Sequence, residues 1–157
     1  MLKSWTGVLG VSLALAAGAL AQEAQPSGWY LEEFESSGIN DLFLYWQDAA
    51  LAVHTLQINC QEGYADVVVS LFIDPLDSEP AEILLADGDA QVPLDFVGGG
   101  EAAGRYSVGG VTSFSPDVID IITGEFSVIV DGVERGHYSA KGAAEKFERM
   151  AAACPAG

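Results

Sequence analysis

Histidine and serine are the residues of this chain that could catalyse a reaction or hold a metal, and their spacing favours neither. His54 and His137 stand far apart, and neither lies in an H-x-x-x-H pattern, which places two ligands on one helix face. No G-x-S-x-G nucleophile elbow is present, and the glycine run 98–100 is followed by Glu101, whose charge would repel a phosphate. We expect both histidines to be solvent-facing or hydrogen-bonded strand residues, and we predict no catalytic, cofactor-binding or metal-binding residue.

Carboxylates are abundant, and two groups of them suggest chemistry. Asp87 and Asp89 flank Gly88, but the D-x-D-x-D-G run and distant Glu of a calcium loop are missing, so a turn explains them better. The densest acidic stretch is 32–35, with three glutamates. A pair of them could hydrolyse a substrate only if one were buried with a shifted pKa. We expect a solvated strand instead.

The aromatic residues between 29 and 46 have the most functional potential. Within 42–46 both faces of a strand would be apolar, with Leu42, Leu44 and Trp46 on one and Phe43 and Tyr45 on the other. One face can enter the core, and the second is either covered by another element or forms an exposed binding surface. The candidate partner-binding patch comprises Trp29, Tyr30, Phe43, Tyr45 and Trp46.

The first 21 residues have the features of a cleavable export signal. Lys3 gives a positive start, residues 8–20 form a short apolar run, and the small-x-small pattern at 19–21 predicts cleavage after Ala21. The run is too short for a permanent anchor, so we expect no stable membrane insertion after cleavage. The sequence therefore predicts a periplasmic or secreted protein with a mobile leader at 22–27 and one β-rich domain at 28–154.

Cys60 and Cys154 are the only cysteines, and both lie in the predicted exported part. In an oxidising compartment a single pair without neighbouring ligands indicates one disulfide. In the loop-entropy description, a bridge between such distant residues stabilises the fold by roughly 4–5 kcal/mol.

The chain is strongly acidic, with 23 Asp and Glu against 6 Lys and Arg and a formal net charge of −17. Binding of nucleic acid requires neutralisation of phosphates by basic residues, so nucleic acid is excluded as a partner. The charge serves either solubility or attraction of a basic partner, and the sequence leaves both open.

Alternating apolar residues and turn signals predict eight or nine strands, and short loops favour antiparallel pairing. The predicted strands are 29–34, 42–46, 50–61, 65–73, 82–86, 91–97, 105–114, 126–130 and 135–140. We expect the strand 65–73 to be covered on both faces and the glycine run 98–100 to open a flexible loop.

Two helices complete the prediction. Ser115 and Pro116 start a short one that Gly124 ends. An amphipathic helix at about 142–153 carries an exposed Glu145–Arg149 pair. If Cys60 bonds Cys154, this helix lies across the sheet face that carries Leu56 and Ile58. The expected fold is α+β, a curved antiparallel sheet or small sandwich with the C-terminal helix docked by the disulfide.

The C-terminal segment resembles a known joint between strand and helix. The segment HYSAKGAAEKF at 137–147, then Met150 and Cys154, with an earlier Cys-bearing strand at 56–60, is similar to small exported proteins of Gram-negative bacteria. These include the type VI secretion-associated periplasmic family and, more loosely, the invasion-associated locus B family. Ala140 stands where those families usually carry a larger aliphatic residue. The resemblance implies a periplasmic, non-enzymatic accessory protein, supports the disulfide and transfers no active-site residue.

Three functional hypotheses follow. The first is an accessory domain that binds an envelope or secreted protein, and the second is an acidic inhibitor of a basic secreted enzyme of lysozyme or protease type. The third is a carboxylate-based hydrolase.

Overall fold

The computed structural model describes residues 26–51, 53–102 and 105–155. The predicted signal peptide at 1–21 and the leader up to residue 25 lie outside this part. At the C-terminal end of the predicted leader, Ser27 Oγ accepts a hydrogen bond from the Ala49 N–H at 2.9 Å. The described elements are β1 (Gly28–Ser36), β2 (Ile39–Asp48), β3 (Val53–Gln61), β4 (Asp66–Ile73), β5 (Ile83–Asp87), β6 (Ala90–Ala102), β7 (Arg105–Ser113), α1 (Pro116–Ile122), β8 (Glu125–Val130), β9 (Val133–Ser139) and α2 (Ala144–Ala153).

The nine strands form one sheet in which every neighbouring pair is antiparallel. Their order is β1-β2-β3-β4-β7-β6-β5-β8-β9, so β1 and β9 are its two edges. The sheet curls into a half-barrel. Of the two architectures that the sequence allowed, the curved sheet is therefore the one that forms.

The curl gives the sheet a concave face and a convex face with different burial. The concave face carries a continuous apolar core, because alternate residues of each strand point into the hollow. Its fully buried members from β2, β3 and β4 are Leu42, Leu44, Leu56, Ile58, Val67, Val69 and Leu71. The convex face carries the intervening residues, most of which are half-buried or exposed.

Both helices pack into the hollow. The Ser115 hydroxyl caps α1 by accepting a bond from the Val118 N–H at 3.4 Å, and Pro116 occupies the first turn. In α2, Phe147 and Met150 are buried in the same core as the strands. The Cys60–Cys154 disulfide joins the end of α2 to β3, with 6.3 Å between the two Cα atoms. The bridge and the two helices confirm that part of the fold prediction.

An aromatic cluster joins the two ends of the curled sheet. The Trp29 ring of β1 lies 5.0 Å from Phe147 of α2 and 6.1 Å from Tyr138 of β9, measured between ring centroids. The Trp29 Nε1–H donates to the Ser139 carbonyl of β9 at 2.8 Å. The Tyr138 hydroxyl donates to the Thr55 carbonyl of β3 at 3.3 Å. These contacts hold the sheet in its curled form.

The local predictions differ from the structure at several places. The predicted strand 50–61 begins only at Val53, because residues 49–51 form a turn. The glycine run 98–100 continues β6, because backbone pairing with β7 outweighs the weak strand propensity of glycine. Strand β4 is buried only on its concave side, since no second layer from the described residues covers the convex side. Arg149 bonds Glu33 of β1 at 2.6 Å rather than Glu145, because α2 docks against that strand.

Among the described residues, no helix combines the length and the apolarity needed to cross a membrane.

Candidate functional site

The five aromatics of the predicted patch are divided between the two faces of the sheet. Trp29 is 5 % exposed in the core, and Trp46 packs against that core from the same side. Tyr30, Phe43 and Tyr45 alternate with them and lie on the convex face. Any binding surface in this region is therefore built from the second group.

A shallow depression of about 350 Å³ lies on the convex face of β1, β2 and β3. Its lining contains predicted aromatic residues together with residues that the sequence did not predict as part of the patch. Pairing across the strands brings them together. We call the following set the convex patch: Tyr30, Glu32, Phe34, Asp41, Phe43, Tyr45, His54 and Gln57. The pairings Glu32 with Phe43 and Tyr45 with Gln57 place acidic, aromatic and amide groups side by side.

Tyr45 is the fixed centre of the convex patch. Its ring stacks on His54 at 3.9 Å and on Tyr30 at 5.7 Å between centroids. Its hydroxyl donates to Glu32 Oε1 at 2.8 Å. Burial, and then the bond to the Glu32 carboxylate, raises the pKa of Tyr45 to about 12. Tyr45 therefore stays protonated and holds Glu32 in place at physiological pH.

The pKa of His54 depends on the same stack. Burial against Tyr45 lowers the pKa of His54, and the negative charge of Glu32 partly opposes that effect. The imidazole is therefore neutral near pH 7 and leaves the Glu32 charge uncompensated.

Phe34 is the open apolar end of the convex patch. Its side chain is 53 % exposed, and its ring meets Phe43 edge to face at 5.6 Å. An aromatic side chain that is half open beside fixed carboxylates suits an apolar contact with a partner.

The acidic side chains of the convex patch give its lining a negative charge. None of the residues that line the depression is Lys or Arg, and Glu32 and Asp41 both belong to it. Arg105 is not one of the lining residues, and its guanidinium donates to the backbone carbonyls of His54 and Phe72 at 3.0 and 3.2 Å. The Arg149 guanidinium forms an ion pair with Glu33.

A second depression extends the same surface toward β4. It shares Asp41 with the first and is also lined by Asn59, Tyr64 and Asp66. Tyr64 is 54 % exposed there. The acidic and aromatic character therefore continues over the convex side of four strands.

A hydrogen-bonded group of Ser127, Glu134 and His137 was not predicted from the sequence. Ser127 Oγ lies 3.0 Å from His137 Nδ1 and donates to Glu134 Oε2 at 2.6 Å. Since a hydroxyl has one proton and Glu134 accepts it, His137 must be the donor to Ser127. A nucleophilic serine would need the reverse order, with His as acceptor and the acid behind it. The group is better explained as a cross-strand bond between β8 and β9, which pair at these residues.

Acidic residues also gather beside α1, where Asp87, Asp117 and Asp120 line a depression of about 310 Å³. All three are exposed, and within the described ranges the buried polar side chains are Gln47 and Ser127. A general acid needs a desolvated carboxyl group, which this part of the chain does not offer. In the same ranges no group of three His, Cys, Asp or Glu side chains is placed to hold a metal ion.

Comparison with models of protein families, with curated proteins and with solved structures finds no similarity that would place it in a family. Its function has to be argued from its own residues.

Proposed function

We propose that the protein is an exported, non-enzymatic binding domain whose convex patch contacts a basic protein of the envelope or a basic secreted protein. The observation that carries the proposal is the half-exposed Phe34 ring beside carboxylates with no lysine or arginine among the lining residues. Apolar contact supplies affinity, and opposite charge supplies fast and selective association.

The arrangement suits binding because its parts are fixed in advance. The stack of Tyr30, Tyr45 and His54 and the Tyr45–Glu32 bond limit side-chain motion before any partner arrives. Little side-chain entropy is then lost on association. The strands beneath are pinned to α2 by the disulfide, which is typical of proteins in an oxidising compartment.

The C-terminal resemblance and the predicted export signal support the accessory role. The net charge of −17 supports a second candidate, inhibition of a basic secreted enzyme, because it would raise the association rate with such an enzyme. The two candidates use the same patch and differ in the identity of the partner and in whether binding blocks its activity.

Affinity capture tests the proposal. The mature protein and a Phe34→Ala/Phe43→Ala variant are used as baits in an envelope extract at low and high salt. We expect a basic protein to be retained by the wild type at low salt and lost with the variant. A Val133→Ala variant, which shortens an exposed apolar residue outside the patch, is the matched control and should retain the partner.

Retention that is equal for all three baits would overturn the assignment of the convex patch. A retained partner that is acidic, or whose binding is independent of salt, would overturn the role of charge. An activity assay on the purified partner then separates the accessory role from the inhibitor.

A further inference from the structure

The first strand has an open edge next to the convex patch. We propose that β1 accepts an extended, lysine- or arginine-rich segment of the partner as an additional strand of the sheet. This inference rests on the proposed function, since it specifies the form in which a basic partner is bound. Main-chain hydrogen bonds would supply affinity and the flanking glutamates would select the charge.

Strand β1 presents an unusually complete edge. All nine of its residues pair with β2 in unbroken register, from Gly28 opposite Gln47 to Ser36 opposite Ile39. Among the described residues, β2 is its only neighbouring strand. In an antiparallel pair, every second residue directs its N–H and C=O away from the partner. From Glu32 to Ser36 every residue is exposed, so these groups are open to another strand.

The opposite edge of the sheet lacks these properties. Strand β9 has a register shift where it pairs with β8, between Val128 and Ile129, and it contains Gly136. A bulge protects an edge strand against further pairing. The Ser139 carbonyl at its end already accepts a bond from Trp29. β1 contains neither a bulge nor a proline nor a lysine, and carboxylates are its only protection.

Charge decides which strand can pair with β1. Glu32, Glu33 and Glu35 are its charged residues, and they stand on both faces of the sheet. A second copy aligned against this edge would bring carboxylates into opposition, which destabilises the pairing. A basic segment would instead gain cross-strand pairs with Glu32 on the convex face and with Glu35 on the concave face, since Glu33 already pairs with Arg149. The three glutamates thus prevent association of the edge with itself while leaving it open to a cationic strand.

The position of Phe34 links the edge to the convex patch. Side chains of an added strand would lie next to Glu32 and Phe34 on the convex side and next to Leu31 and Glu33 on the concave side. The half-exposed Phe34 ring would be covered by the added strand. One partner segment could therefore use the open backbone, the carboxylates and the apolar ring together.

Two synthetic probes test strand addition on the wild-type protein. The first is a capped peptide of alternating lysine and threonine, about eight residues long to match a typical strand. The second has the same side chains but carries N-methyl groups on every backbone amide, so it keeps its charge and cannot form a ladder. We expect the unmodified peptide to bind about tenfold or more tightly, because the second probe lacks the hydrogen bonds.

Amide hydrogen exchange locates the binding. The unmodified peptide should slow exchange at alternate residues between Leu31 and Ser36 and leave β9 unchanged. Equal affinity of the two probes without protection of β1, or protection of β9 instead, would overturn strand addition, as would a failure of both probes to bind. The affinity capture tests the proposed function separately. A partner that is lost with the Phe34→Ala/Phe43→Ala variant would support the convex patch even if no strand is added to β1.

Discussion

The two faces of the first three strands are made of similar residues and have opposite surroundings. Trp29 and Leu44 on the concave side lie in the core that α2 and the far end of the sheet cover, and both are buried. Tyr30 and Phe43, their immediate neighbours in sequence, face outward, and no helix of the described residues lies over them. Hydrophobicity alone therefore does not decide burial here. The face that the disulfide-linked helix reaches becomes the core.

The convex side is nevertheless partly closed by its own side chains. Tyr45 is only 4 % exposed, because Tyr30 and His54 stack on it and Glu32 binds its hydroxyl. On the concave side burial comes from other elements, whereas on the convex side it comes from neighbours on the same three strands. Phe34 lies at the border of this arrangement and stays open.

The largest effect should come from truncating Trp29. Trp29→Ala removes the ring that contacts Trp46, Phe126, Tyr138 and Phe147 and deletes the bond to Ser139, so we expect a loss of about 3–5 kcal/mol in the free energy of unfolding. Phe34→Ala is the control from the same strand and should cost under about 1 kcal/mol. Denaturant unfolding measures both. Similar losses for the two variants would remove the distinction between the faces.

Removal of the disulfide tests how far the concave face depends on α2. The double variant Cys60→Ala/Cys154→Ala releases the end of α2 from β3, and we expect a loss of about 2–4 kcal/mol in the free energy of unfolding. Hydrogen exchange should accelerate in α2 and over the concave residues of β3. The wild type treated with reductant provides the control that leaves the sequence intact. Unchanged stability in both samples would show that the helix covers the core without the bridge.

Gly136 tests how the far edge completes the concave core. A Cβ atom at this position would lie 2.5 Å from the Tyr138 hydroxyl oxygen, and the Tyr138 ring is held between aromatic neighbours. We expect Gly136→Ala to cost about 1–3 kcal/mol through overpacking. Gly100→Ala is the matched control, because a Cβ there meets nothing within 4 Å. Equal melting temperatures of the two variants would show that Tyr138 can move freely.

The fold could largely be predicted because its signals are local. The alternation of Leu56, Ile58 and Cys60 indicates a half-buried strand. Once the cysteines pair, the apolar stripe of the last helix can pack only against the sheet face that carries Leu56 and Ile58. The choice between a curved sheet and a sandwich could not be made from the sequence, since the curl is fixed by Trp29 bonding a carbonyl 110 residues away. For the same reason the Arg149–Glu33 pair could not be read from helix spacing.

The candidate site was predicted less completely. Alternation separates Phe43 and Tyr45 from Leu42 and Leu44, but it does not show which strands lie beside them. The register shift between β2 and β3 at Trp46 and Gln47 brings His54 onto the Tyr45 ring, although strict alternation would place it on the side of Leu56. Cross-strand pairing puts Asp41 beside Gln61, whose amide donates to the Asp41 carboxylate at 3.0 Å. Glu32 and Glu33 are both exposed and lie on opposite faces. The docking of α2 brings Arg149 to Glu33 and neutralises that carboxylate. Sequence patterns identify the face, whereas pairing across strands assembles the patch.

The smallest predicted effect is the pH dependence that His54 contributes on the convex side. Burial lowers its pKa in the folded state below the ordinary value of 6.5, against the opposing charge of Glu32. The unfolded chain therefore binds a proton at a higher pH than the folded protein does, and the free energy of unfolding falls as pH drops below about 6.5. His54→Gln removes this contribution, so the loss of stability between pH 7.5 and pH 5.5 should be smaller in the variant than in the wild type. His137→Gln provides the control on the other half of the sheet. An identical pH dependence in wild type and His54→Gln would mean that the imidazole is not held against Tyr45, and that the convex side lacks the fixed centre on which its difference from the concave side depends.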